Sequence, residues 1–516
     1  MTGNWKWLPA FLIFAVIPLS SVPLFIDPYV QSKNTVLSIL YLLGFLLVAG
    51  GRFHINDVYR PALFVSALVI SSLANLDRGF HWPFWLEVVG YFGGLLYFGA
   101  LISDHRFWPR FQSAVLWSST GVLAIHFYQL ASTLWNETLV SRRQYASTFG
   151  ENNLMSQYLV LAFASILTKS GKPAICVRVL IVSVVLFNQS RSAILAILLL
   201  VAWQFWLDRK SSHLFGFGLS LVLAIGTTFV SQARLSGVTT LPVRDFGSWQ
   251  QRLEVAKESL FLIQSSPFGV GPDQFQFESI SHFQEGEHRQ SERDLYTNPH
   301  SEILRLATSG GWLLLIAGLA LLVEFVRRLR KMPSAQKKIP TLLFIAFLPE
   351  LLFQFPFDIG TTVSFVLVSF AAASVTYEDR NGLNWLLARR SVAVVFVCVL
   401  VSLGANIALL YSGYLARHAK SADQAVQACH LNFRQWQICE IAISRLEAEN
   451  RFLEAKDLID GQLKHYPNNF LALRHLSRFH FAKGNNEAGC GALKAEARLM
   501  KSAFTAGDFL ERHCNQ

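Results

Sequence analysis

The stretch ILRLATSGGWLLLIAGLALLVEFV, residues 303–326, runs directly into RRLRK at 327–331. The apolar part is long enough to cross a hydrocarbon core of about 30 Å as one helix. The basic cluster after it carries the charge that stays on the cytoplasmic side of a membrane. A span with a cytoplasmic anchor is therefore the unit to look for elsewhere in the chain.

Twelve further apolar runs fit that unit: 7–26, 34–50, 61–75, 84–103, 112–135, 154–169, 174–188, 191–207, 213–230, 340–355, 360–376 and 391–412. The chain is 52% hydrophobic and 15% charged, and these runs hold most of its apolar residues. The expected fold is an all-α polytopic membrane protein with about 12–13 transmembrane helices. The runs 174–188 and 191–207 almost touch, so they form a tight hairpin or one broken helix. The first run has no clear small-residue cleavage site after it, and is read as a span rather than a signal peptide.

Lysine and arginine orient the bundle. Alternate loops hold Arg52 and Arg60; Arg106 and Arg110; Lys169, Lys172 and Arg178; Arg209 and Lys210; the cluster from Arg327 to Lys338; and Arg380, Arg389 and Arg390. The other short loops hold only Lys33, Arg78, Arg142, Arg143 and Arg191, while the long segment 231–302 is mixed in charge and a poor witness to orientation. The basic set is expected in the cytoplasm together with the N-terminus, and an odd number of spans then puts the C-terminus outside. The net charge of +11 reads as this asymmetry and not as nucleic-acid binding.

Two regions lie outside the spans. The segment 231–302 is too long for an ordinary connection. It contains SWQQRLEVAKESLFLIQSSPFGVG (248–271), an amphipathic helix with Leu253, Ala256, Leu260 and Ile263 on one face. Ser248 and Gln251 make a capping-box pattern at its start, and Pro267 and Gly269 stop it. The region 414–516 is rich in helix formers. Glu454-Ala455 and Glu487-Ala488 repeat at about the 34-residue period of a tetratricopeptide unit. The expected domains are therefore a membrane domain, 1–413, with a large outer loop at 231–302, and a small helical tetratricopeptide-like domain, 414–516. Cys429, Cys439, Cys490 and Cys514 lie in the tail. They are either buried free thiols or disulfides in one of three pairings, and export would allow the disulfides.

The residues that can carry chemistry fall on the expected outer face. Asn298-Pro299 reads as an N-cap followed by the first helical position, which puts His300 second in the helix. A helix N-terminus disfavours imidazolium and keeps the ring neutral, available as a base. Arg191 opens a span in NQSRSAILAI, and Arg252 lies one turn into the loop helix. A lone arginine in either place most often snorkels or solvates a surface. Two on one side of a membrane could instead grip the oxygens of one pyrophosphate, because a guanidinium binds phosphate bidentately.

These residues sit in motifs that resemble the O-antigen ligase, O-antigen polymerase and protein O-oligosaccharyltransferase superfamily of bacterial membrane glycosyltransferases. STFGENNLMSQYLVLA (147–162) looks like the family's G-T-F-x-N-x-N start of a span, with Ser147 in place of glycine and Asn153 in the last position. QSRSAILAI (189–197) looks like its S-R-x-A helix start. Arg252 followed by SPFGVGPDQF (266–275) is similar to its arginine helix and P-x-G-x-G turn. PHSEILRLATSGGW (299–312) looks like its His-containing element, with Ser301 where asparagine is usual. The resemblance implies a GT-C-like bundle in the bacterial inner membrane. It implies glycan transfer from an undecaprenyl-pyrophosphate carrier to an acceptor hydroxyl at the outer face, with no metal or other cofactor. On that reading His300 is the base, and Arg191 and Arg252 hold the pyrophosphate. Asn153, Gly269 and Gly271 complete the substrate-binding set.

The acceptor separates a ligase from two alternatives, a chain polymerase and a protein oligosaccharyltransferase. LPELLFQFPFDIGTT (348–362) faintly resembles a segment of the last group. Glu350, Gln354 and Phe355 stand where that group has His, Glu and Tyr-Pro, and the departure favours the ligase. A metal-dependent transferase would use acidic outer residues, for which Asp27 and Asp358 are available without a paired motif. A polytopic glycolipid transporter is the non-enzyme alternative, but the spans show no internal repeat. The expected partners are thus a lipid-linked glycan donor, a glycolipid, glycan or protein acceptor, and the membrane.

Overall fold

The structure is a computed structural model that describes residues 5–21, 31–48, 59–75, 82–135, 147–149, 151–188, 190–208, 247–272, 274–279, 299, 301–354, 360–375, 389–433, 436–499 and 514. Every regular element among them is helical. A mixed helical segment, Trp5–Leu19, contains α1 (Leu8–Phe11). There follow α2 (Gln31–Val48), α3 (Tyr59–Ala74), α4 (Trp82–Ile102), α5 (Phe107–Trp135), α6 (Asn152–Ile166), α7 (Lys172–Asn188) and α8 (Arg191–Asp208). The loop region gives α9 (Gly247–Ser265) and the short α10 (Phe275–Glu278). Then come α11 (Glu302–Lys331), α12 (Ser334–Phe353), α13 (Gly360–Val375) and α14 (Arg389–His418). The tail is built from α15 (Ala422–Leu431), α16 (Trp436–Ala448), α17 (Phe452–His465), α18 (Phe470–Ala482) and α19 (Asn486–Leu499).

Three of the described helical stretches are long and apolar enough to cross a membrane: Phe84–Ile102, Glu302–Lys331 and Val399–His418. Five shorter apolar stretches are Trp5–Leu19, Lys33–Val48, Phe64–Ala74, Arg191–Trp206 and Gly360–Ser374. Helix length accounts for part of the difference from thirteen apolar runs, although α5 and α12, at 29 and 20 residues, have the length without being among the three. A 15-residue helix such as α6 rises only about 22 Å, less than the hydrocarbon thickness. The run 213–230 lies outside the described residues. The runs 174–188 and 191–207 form two separate helices, α7 and α8.

Aromatic and glycine contacts hold the core together. Phe14 packs against Phe98, Phe111 and Phe365 at 5.6, 4.9 and 5.5 Å. Where α2 crosses α4, a Cβ on Gly90 would lie 2.8 Å from Ser38 Oγ, so the missing side chain lets the two helices approach.

Polar contacts near helix ends sort the bundle into two faces. On one, Lys6 Nζ lies 3.7 Å from the Asp104 carboxylate, Gln112 donates to Thr168 at 2.8 Å, and Arg178 donates to Leu167 O at 2.6 Å. On the other, Lys33 Nζ donates to Thr148 O at 2.7 Å, and the Gly360 amide donates to Asn34 Oδ1 at 2.6 Å. The grouping follows the alternating up-and-down order of the helices. The second face also receives α9 and the start of α11.

The tail stacks consecutive helix pairs, α15 on α16 and α18 on α19. Its core of Ala422, Ala425, Cys429, Ile438, Cys439, Ile443 and Ile459 is continuous with Ala416 on α14. The last long helix therefore runs through position 413 without a break, to His418. The four tail cysteines pair as Cys429–Cys439 and Cys490–Cys514. Phe277 of α10 packs on Tyr466 and Trp436, with ring centroids 4.9 and 6.1 Å apart. The tail thus sits on the same face as α10.

Candidate active site

α11 begins with a defect that explains how the loop is held. Gly311 has φ 64° and ψ −163°, a conformation that only glycine adopts readily. The break frees carbonyls on the preceding turn. Thr308 O accepts from Val270 N–H at 2.7 Å, and Ser309 O accepts from Gly271 N–H at 3.1 Å. In return the Trp312 amide donates to Pro267 O at 3.0 Å. A Cβ on Gly311 would strike that Pro267 carbonyl, and one on Gly269 would strike the backbone of Ser309 and Gly310. Ser71 on α3 closes the junction by donating to Phe268 O at 2.9 Å. Gly269 and Gly271, expected from sequence to bind substrate, therefore each have a place in this docking seam.

The seam anchors α9. The helix ends at Ser265, before Pro267 and Gly269 as expected. Its buried face overlaps the expected one at Ile263 but not at Leu253 and Leu260. Val255, Ser259, Leu262 and Ile263 are buried, whereas Leu253 and Leu260 are about half exposed. The reason is the seam: Val255 and Leu262 close on Val270 and Phe275, and that rotates the helix away from the stripe of highest apolarity. The side chains of Ser248 and Gln251 lie outside the described residues.

α11 starts at Glu302, with Ser301 in the N-cap position (φ −152°, ψ 129°). This corrects the expected start at Asn298-Pro299. Ser301 takes the N-cap position by its extended backbone, without a side-chain capping hydrogen bond. Glu302 then supplies a carboxylate to the first turn, where the helix dipole favours it. It is fully buried and accepts from Arg305 Nη2 at 2.6 Å. His300 itself lies outside the described residues, as do Asn298, Asp27 and Asp358. By sequence His300 now precedes the N-cap rather than following it, so the electrostatic argument for a neutral ring loses its helical position.

The two arginine elements converge on a residue to which the sequence motifs assign no role. Arg191 is the first residue of α8 and is exposed. Its neighbour Ser192 is buried and donates from Oγ to Glu350 Oε2 on α12 at 2.9 Å. Arg252, half-buried on α9, interacts electrostatically with the same Glu350 carboxylate. Glu350 has no solvent exposure, and its Oε1 has no hydrogen-bond donor among the described residues. Nearby, Asn188 at the end of α7 donates to Ser156 Oγ on α6 at 3.2 Å. Asn188 Oδ1, Ser190 Oγ and Asn152 Oδ1 at this α6–α7–α8 junction are buried, with no hydrogen-bond partner among the described residues. Asn153 lies half-buried in the first turn of α6.

Buried polar atoms in a folded protein are normally satisfied. A cluster of unsatisfied ones around a buried carboxylate marks a candidate site for a polar group; because most of these atoms are acceptors, only the two arginines nearby suit an anionic part of it. Glu350 could have been found from sequence, because an ionisable residue inside an apolar run is a functional candidate by default. Ser192 and Asn188 carry no such signal.

The long apolar helices are those of a membrane protein, and the polar cluster lies at one end of them. Residues 176–319 match the family model for the O-antigen ligase, and the match supports the O-antigen ligase and polymerase superfamily. It covers well under half of the chain. It includes Arg191, Arg252, Gly269, Gly271 and His300 and leaves Asn153, Glu350 and the tail outside. Among curated proteins no match is found.

Proposed function

We propose that the chain is a membrane glycosyltransferase of the O-antigen ligase type. It transfers a glycan from an undecaprenyl-pyrophosphate carrier to an acceptor hydroxyl at the outer face of the bacterial inner membrane. The observation that carries the reading is the convergence of Arg252 and the Arg191-Ser192 helix start on one buried carboxylate, both elements lying inside the segment that matches the family. The leaving group concentrates negative charge, and fixed cationic donors around developing charge lower a barrier most effectively. Arg191 and Arg252 hold the pyrophosphate, with Asn153, Gly269 and Gly271 lining the site. His300 accepts the proton of the acceptor hydroxyl, and no metal or other cofactor takes part. The bundle is GT-C-like with 12–13 spans.

The tail, read as tetratricopeptide-like, supports the orientation. It packs against the 231–302 segment through Phe277 and carries two disulfides, which persist in an oxidising compartment. On this reading loop and tail face the periplasm, and the N-terminus faces the cytoplasm. The tail could also present a protein, which keeps protein O-glycosylation as the second reading.

The test is glycan transfer from a lipid-linked donor by the pure protein in EDTA, comparing wild type with His300→Ala. The expected result is full wild-type transfer and a loss of about 10²–10⁴-fold in the variant. Wild-type activity abolished by EDTA would favour a metal-dependent enzyme. Undiminished activity in His300→Ala would remove the base. Absence of transfer together with glycolipid flux across vesicles would establish the transporter.

A further inference from the structure

Glu350 is a fully buried ionisable group at the proposed transfer face, and no step of the transfer uses it. Its environment is specific. Oε2 accepts the Ser192 hydroxyl at 2.9 Å, Oε1 has no donor among the described residues, and its charge partner is Arg252 on a different element. Leaving a carboxyl in such a place is costly unless a cation or a set of donors compensates it. Packing alone would be served better by leucine, which flanks it as Leu351 and Leu352. α12 packs closely on α8 and α6, so Glu350 faces the bundle interior and not lipid.

The carboxyl joins three pieces of the site. It belongs to α12, it holds the first turn of α8 beside Arg191, and it attracts Arg252 on α9. The hydrogen bonds of the Gly311 seam fix α9 at its C-terminal end, through Pro267 to Gly271. Arg252 lies about four turns back from that anchor.

We propose that Glu350 is a positioning residue of the transfer site, orienting Arg252 and the Arg191-Ser192 helix start toward one shared anionic group. The identity of that group, a lipid-linked pyrophosphate, rests on the glycosyltransferase reading; the positioning itself does not. Glu350 does not touch the reacting atoms. It acts by setting where the two guanidinium groups stand.

The test uses the full-length protein in lipid nanodiscs with Glu350→Gln, Arg252→Ala and the double variant. Glutamine keeps the volume and an acceptor for Ser192 but removes the charge. In Glu350→Gln the transfer rate from lipid-linked donor should fall about 10–100-fold, the cost of misplacing a catalytic group by about an ångström. In the Arg252→Ala background the same change should cost clearly less than in wild type, because one of the two groups it positions is already gone and only the part carried through Ser192 and Arg191 remains. Glu350→Asp should recover part of the rate. Independently of any transfer, hydrogen exchange in the first turns of α9 should quicken several-fold in Glu350→Gln and not in a control, Lys257→Gln, at an exposed position.

A full rate in Glu350→Gln would overturn the proposal, as would an effect that multiplies with that of Arg252→Ala. So would unchanged exchange in α9. If wild type transfers nothing from lipid-linked donors, the glycosyltransferase reading fails, and the α9 exchange alone then decides the positioning role. Should Glu350→Gln fail to insert, Arg252→Gln breaks the same charge pair from the loop side and is read by the same exchange measurement.

Discussion

An arginine that grips a pyrophosphate differs from one that solvates a helix in what can replace it. Lysine keeps the charge but loses the planar fork of donors. Arg252→Lys should therefore lower the transfer rate about 10-fold or more, the value of a charge-assisted hydrogen bond, and Arg252→Ala should lower it further. A solvated arginine would tolerate both, with stability changing within about 0.5 kcal/mol. Rates with lipid-linked donor decide, and full activity in both variants would take Arg252 out of the site. Arg191 and Arg252 were legible as residues, since each stands in a short motif. Their common focus was not. Glu350 lies far along the chain from both, and only folding brings α12 beside α8 and within reach of Arg252.

At the scale of elements, the break in α11 is the joint on which the loop hangs. Gly311→Ala should destabilise it by about 1–3 kcal/mol for the backbone conformation alone, with the Pro267 carbonyl contact added to that. Thermal unfolding in detergent should show the loss, and the segment 247–272 should become more open to protease. An unchanged melting curve would mean that the break is not needed. The tail offers a titration. Burial raises the pKa of Glu440 on α16 above its ordinary value, and His475 and Arg474 oppose this only in part. A raised folded pKa means that the folded tail holds the proton more tightly than the unfolded chain. Its contribution is fully present below the ordinary carboxylate pKa and is lost as pH rises through the raised value. Glu440→Gln should therefore flatten the fall in tail stability over that window. Hydrogen exchange of α16 to α18 at several pH values, corrected for the intrinsic rate, measures this, and identical pH profiles would rule it out.

For the whole molecule the decisive property is which face is outside. A cysteine in place of Glu285 should react with an impermeant reagent in intact cells, and one in place of Ser334 should not, both in a background with Cys176 and Cys398 replaced by serine. The reverse pattern would put the arginine site in the cytoplasm and end the lipid-linked donor mechanism. The tail contact through Phe277 ties the tail to the same outcome, so a reporter that works only outside the cytoplasm should be active when fused after Gln516.

The sequence by itself determined the helical class, the apolar runs, the end of α9 and the two arginine motifs. Each of these rests on local composition and spacing, which a run of neighbouring residues already contains. Tertiary structure decided the start of α11, the buried face of α9, the cysteine pairing and the place of Glu350. Where two helix starts, or two stripes of one helix, are nearly as favourable, the local energies differ by too little to choose. Packing against a distant element then chooses, as the Gly311 seam does for α9 and as α8 does for Glu350.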